Sequence, residues 1–160
     1  MRVSRPATRK ENAPMPVPIW AGRYIGLPFR DHGRDRSGLD CWGLVRLVLG
    51  EQFGIALPSL AAEYEHTLAL DDISGVIRRQ IPGWQTVSQG EERCGDVVVL
   101  RLHGLPLHVG VVLGDGYMLH VEARIDSAIE KYDQTRWKDR IYGFYRHRGI
   151  AAATGHRTSP

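Results

Sequence analysis

The chain has few of the residues that hold small secreted domains together. Of its 160 residues only two are cysteines, Cys41 and Cys94, too few for a disulfide framework. It contains no CxxC pair and no HExxH run, so the common spacings of a zinc site are missing. No apolar stretch approaches the roughly 20 residues of a transmembrane helix. A basic start with Arg2, Arg5, Arg9 and Lys10 would suit a secretory signal, but Pro14, Pro16 and Pro18 interrupt the only candidate apolar region. Export by the general route is therefore not expected from this terminus. Charge of one sign is also scarce: the net charge is +3, much of it in the two ends. Nucleic-acid binding needs a concentrated basic face, and no such partner is expected. There are no internal repeats.

What is present is an ordinary globular composition, 42% hydrophobic and 24% charged, at a length that suits one domain with a real core. Residues 1–18 read as a flexible Pro-rich basic arm, 19–148 as the domain and 149–160 as a flexible tail. Ile19 to Tyr24 reads as a short helix, Arg30 to Gly38 as an exposed loop, and Trp42 to Phe53 as a buried helix stopped by Gly54. Asp71 and Asp72 open an amphipathic helix that Pro82-Gly83 ends. Beyond Trp84 the pattern changes to strands at Asp96 to Leu102, Leu107 to Leu113, Tyr117 to Val121, Ala128 to Tyr132 and Ile141 to Tyr145. Helices first and strands second predict an α+β domain, with helices packed on an antiparallel sheet of about five strands.

Three residues carry candidate chemistry. Cys41 opens the buried helix, where exposed N–H groups and the positive dipole end favour a thiolate and predict a lowered thiol pKa. Cys94, before Gly95-Asp96, reads as a small residue in a turn. His108 and His120 lie in two strand-like segments joined by a tight Gly114-Asp115-Gly116 turn, which places them side by side on one face of a hairpin. A thiol beside a base and an orienting group is the arrangement of nucleophilic catalysis. The Cys41 backbone N–H is placed to donate one oxyanion hydrogen bond. A zinc held by Cys41, His108 and His120 is the chemical competitor, yet no fourth ligand is evident. His120-Val121-Glu122 matches half of a zinc deaminase signature, but no CxxC follows it.

Tyr24 to Phe29, Gly38-Leu39-Asp40-Cys41, Gly95 to Val98, His108 to Gly116 and Leu119-His120, in that order and with twelve residues from His108 to His120, resemble the NlpC-type cell-wall peptidases. These are papain-like cysteine enzymes. The resemblance implies Cys41 as nucleophile, His108 as base and acid, and His120 as the orienting third residue. It also implies a peptidoglycan stem peptide as substrate, cut between γ-D-glutamate and a diamino acid, with no metal or organic cofactor. Two departures stand out: Phe29 occupies a position where many members have a tyrosine that lines the substrate site, and Trp42 replaces a small serine. Asp40-Cys41-Trp42-Gly43-Leu44-Val45, Phe53 to Pro58 and Gly143 to Arg146 look like the branch found in phage tails, prophages and gene transfer agents. That likeness implies other tail or particle proteins as partners and action at the wall from a phage-like particle. Asp40 suits either a helix cap or a contact to a substrate amine. Arg34 belongs to a charge run that is solvated by default, though an arginine near the cleft would hold a substrate carboxylate. A structural tail-tip protein with the same fold and little turnover is the alternative, and acyl transfer or amide hydrolysis on a non-wall substrate is compatible with the same triad.

Overall fold

The computed structural model describes residues 16–65 and 70–153. A single-turn-rich 3-10 helix at Ile19–Tyr24 is followed by two short strands, β1 (Arg34–Asp35) and β2 (Gly38–Leu39). Then come helices α1 (Cys41–Phe53) and α2 (Leu70–Gln80) and strands β3 (Gln85–Val87), β4 (Val97–Leu102), β5 (Leu105–Gly114), β6 (Tyr117–Glu122), β7 (Ile125–Lys131) and β8 (Ile141–Arg146). A 3-10 helix at Thr135–Arg140 precedes β8, and α3 (Arg148–Ala153) follows it. Among the described residues no helix is long and apolar enough to cross a membrane.

Helix α1 begins where the chain supplies a cap. Asp40 is extended, and its Oδ1 accepts from the Gly43 N–H at 2.8 Å, satisfying one of the helix's free donors. It ends at Gly54, which is left-handed at φ 66° and returns its N–H to the Leu49 carbonyl. Leu44, Val45, Val48 and Leu49 are buried, so this helix is a core element with its first turn left free for other work.

Strands β3 to β8 form one antiparallel sheet in the order β3-β8-β4-β5-β6-β7. Alternation along β4 sends Val97 and Val99 to the face packed by α1 and α2, and Val98 and Leu100 to the other face, which Trp137 closes. The expected α+β architecture is present, with six strands in the sheet rather than about five. The additional strand is β3, three residues too short to show a period in the sequence. The expected loop from Arg30 to Gly38 holds the β1–β2 pair. At the turn between β5 and β6, Asp115 and Gly116 have φ of 50° and 75°, the left-handed backbone that such two-residue turns need.

The ends differ in part from the expected arm and tail. Val17 packs against the core, and the rest of the arm through residue 15 lies outside the described residues. Residues 148–153 form α3 with Ile150 buried, because an apolar side chain there finds the open end of the core. Residues 154–160 lie outside the described residues.

Candidate active site

Cys41, His108 and His120 come from three elements that the fold packs together: the first position of α1, the centre of β5 and β6. A cleft of about 220 Å³ opens over Cys41 and His108, and His120 sits outside its lining, against His108. Cys41, Trp42 and Phe29 line one side, Ile73, Val76 and Ile77 of α2 another, and His108 and Val109 the floor. The walls are mostly apolar.

The two imidazoles touch. His108 Nε2 lies 2.8 Å from His120 Nδ1, and His120 Nε2 lies 2.8 Å from Glu130 Oε2 on β7. Since His108 Nε2 faces His120, its Nδ1 is the nitrogen left for the cleft. The His108 ring stacks on Trp137 at 5.4 Å between centroids and 17° between planes, and the His120 ring meets the same indole edge-on at 5.5 Å. Both histidines are buried, each 3% exposed. Burial, then electrostatic repulsion from the neighbouring His120 and Arg136, pushes the His108 pKa down to about 3 against the pull of Glu130. Burial also lowers that of His120, with Glu122 and Glu130 opposing. Neutral imidazoles are the resting form, and a neutral imidazole has a lone pair to act as base.

The thiol departs from expectation. Its pKa is pushed up to about 12, first by burial and then by the adjacent Asp40 carboxylate, while the Val109 and Trp42 backbone N–H groups and Arg34 pull it down. A helix start favours the thiolate only where the surroundings stay polar, and here the apolar walls win. The contact with the Val109 N–H places the sulfur one residue along β5 from His108. A zinc between the histidines does not suit this geometry, because nitrogens in hydrogen-bond contact at 2.8 Å are directed at each other and not at a shared ion. His120, Glu122 and Glu130 also cluster, but the cation between the carboxylates is Arg136, bonded to both.

Asp40 is 1% exposed. Besides capping α1 it accepts from Arg34 Nη1 at 2.7 Å and from the Tyr64 hydroxyl. Arg34 also donates to the carbonyls of Gly33 and Ser59 and to Tyr64, so its guanidinium supports the Asp40 cap. Trp42 donates its indole N–H to the Pro58 carbonyl at 3.0 Å, which fixes the ring as a wall of the cleft. Phe29 bridges Leu39 and lines the same space.

A family model for NlpC/P60 matches residues 26–146, a span that holds every one of these residues. The chain belongs to the NlpC/P60 family. The murein DD-endopeptidase MepS/murein LD-carboxypeptidase of Escherichia coli K12 is 27% identical over 117 residues, covering 73% of this chain and 54% of that protein. This NlpC/P60 chain therefore spans about half the length of that curated relative. Among solved structures, an NlpC/P60 family protein from Bacillus cereus superposes with a TM-score of 0.61 at 22% identity, over 79% of this chain and 37% of that one. An NLP/P60 family protein from Staphylococcus aureus, similar to lipoprotein, gives 0.55 at 24% identity, over 79% and 38%. At these identities the likeness bears on fold alone, and it agrees with helices packed on an antiparallel sheet.

Sequence reasoning missed Glu130, Arg136, Trp137 and Tyr64. Glu130 faces the histidines because β6 and β7 pair with His120 opposite Ala128 and alternation puts residue 130 on the same side, a register that the sequence does not carry. The 3-10 helix that delivers Arg136 and Trp137, and the irregular segment that delivers Tyr64, have no period to read.

Proposed function

We propose that this NlpC/P60 domain is a cysteine hydrolase that cuts an amide bond in peptidoglycan stem peptides. The observation that carries the reading is a thiol at a helix start sharing one cleft with His108, whose buried, neutral ring is backed by His120. The name of the E. coli relative supports the wall as substrate class.

In the proposed reaction, Cys41 Sγ attacks the carbonyl carbon while its proton passes to His108 Nδ1. Charge on the carbonyl oxygen is met by the Cys41 backbone N–H, which as the first residue of α1 has no partner within the helix. Collapse breaks the C–N bond, His108 returns the proton to the leaving amine, and a thioester remains. Water, deprotonated by His108, then releases the acid and restores the thiol. Both attacks, by the thiol and by water, need a base that starts neutral, which burial supplies.

Among the described residues the cleft lining has no Lys or Arg, and its charged members are Asp40 and Glu122. A stem whose carboxylates near the cut bond are amidated fits such walls better than a free acid. The particle-borne setting, with tail proteins as partners, is part of the proposal and draws support from the motif likeness at Asp40 to Val45, Phe53 to Pro58 and Gly143 to Arg146.

Digestion of purified muropeptides followed by mass spectrometry tests the reading. Cleavage is expected with wild type and Cys94→Ala and lost with Cys41→Ala, with amidated stems cut faster. Fragment masses separate a cut after γ-D-glutamate from one at the D,D bond that the relative's name denotes. Equal loss in both cysteine variants contradicts a special Cys41, and no cleavage by wild type favours the structural tail-tip alternative.

A further inference from the structure

We propose that Glu130 is a positioning residue that sets the proton order of the whole relay, so that His108 presents a lone pair and not an N–H to Cys41. The inference rests on reading Cys41 as the nucleophile and His108 as its base.

Donors and acceptors along the relay fix the order. An ionised carboxylate only accepts. Glu130 is kept ionised by Arg136, whose Nε and Nη2 donate to its two oxygens at 3.2 Å each. Partial burial pushes the Glu130 carboxyl up, the Arg136 bonds pull it down, and the net direction is down. His120 Nε2, at 2.8 Å from Glu130 Oε2, must therefore carry the hydrogen. A neutral His120 then has its lone pair on Nδ1, so His108 Nε2, at 2.8 Å, must carry the hydrogen of that contact. A neutral His108 in turn has its lone pair on Nδ1, the nitrogen left for the cleft. Reversing any one bond turns His108 Nδ1 into a donor, which cannot take the thiol proton.

The other charges around His120 do not fix this order. Glu122 on β6 is 3.9 Å from His120 Nδ1, beyond a hydrogen bond, and it is held by both terminal nitrogens of Arg136. Trp137 packs the rings but offers them no acceptor. When the proton moves from Cys41 Sγ to His108 Nδ1, the imidazolium formed is stabilised through His120 by the Glu130 charge, as an orienting carboxylate does for a base.

Glu130→Gln is the informative change. In the amide one of the two oxygens becomes an NH2, and with Arg136 Nε and Nη2 each donating to one of those positions no acceptor is reserved for His120 Nε2, so the proton order of both histidines is no longer fixed. Long-range ¹H–¹⁵N correlation of the imidazoles reads the tautomers directly, without substrate. Wild type is expected to show hydrogen on Nε2 of both His108 and His120, and Glu130→Gln to show a mixture of Nε2 and Nδ1 forms. In the variant kcat should fall about 10- to 100-fold, the usual loss when a group orienting another imidazole is removed, with KM within about twofold. Glu130→Asp should restore the Nε2 hydrogen and part of kcat. Hydrogen on Nδ1 of His108 in wild type overturns the proposal whatever the variants do, and so does a Glu130→Gln protein with wild-type tautomers and wild-type kcat. If wild type cleaves no muropeptide, the substrate reading fails, while the tautomers still decide the role of Glu130.

Discussion

Cys41 is a thiol held in its protonated form until something takes the proton. Burial and the Asp40 carboxylate raise its pKa to about 12, and His108, neutral down to about 3, is too poor an acceptor at rest to form a standing ion pair. The sign follows directly: a raised thiol pKa makes the thiolate scarce at neutral pH and increasingly abundant as the solution becomes alkaline. Alkylation of Cys41 by iodoacetamide, followed by peptide mass spectrometry, should therefore keep accelerating as pH passes the ordinary thiol value of 9.0. A rate that levels off at or below neutral pH would instead reveal a thiolate–imidazolium pair. Cys94, raised to about 11 by burial and Asp96, should follow a similar curve and so serves as an internal comparison. At this scale the sequence was informative where a residue's position alone decides its chemistry, as for Cys41 beside a capping Asp40. It misled on the thiol pKa, because the dipole of a helix start can be read from a sequence and the apolar walls of a cleft cannot.

Strand β5 carries the base because its neighbours approach without obstruction. A Cβ built at Gly110 would lie 3.1 Å from Met118 Sδ, 3.3 Å from His120 Cβ and 3.3 Å from the Leu119 carbonyl oxygen on β6. The sulfur can turn aside, but the β6 backbone cannot. Gly110→Ala should displace β6 by a few tenths of an ångström, cost about 1–3 kcal/mol as overpacking does, and lengthen the His108–His120 contact. Thermal melting and kcat check it together, and a variant with unchanged stability and rate would show that β6 yields freely. The hairpin that pairs the histidines was legible from the Gly114-Asp115-Gly116 turn and the apolar alternation around it. The register of β7, and with it Glu130, was not, since Arg124 to Ser127 carry no alternation that fixes which side chains face the histidines.

Across the whole molecule, distant motifs serve one another. Asp96 just before β4 and Arg146 at the end of β8 form two hydrogen bonds of 2.8 Å each, and the Asp96 side chain is fully buried. Two strands that are far apart in sequence are thereby clasped side by side in the sheet that carries His108. Arg146→Ala leaves an uncompensated buried carboxylate and should cost about 3–5 kcal/mol in urea unfolding. A loss near zero would show that water reaches Asp96 once the arginine is gone. The layered α+β plan was legible from the change of period near Trp84, whereas this clasp joins residues 50 apart and only the folded sheet brings them together.

The central claim is that Cys41 attacks the stem peptide and carries its acyl part as a thioester. Intact-protein mass spectrometry on a muropeptide digest quenched in acid tests it most directly. A transient mass increase equal to the acyl fragment is expected, located at Cys41 and absent from Cys41→Ala. Fragment release by Cys41→Ala at the wild-type rate, with no adduct on wild type, would contradict it.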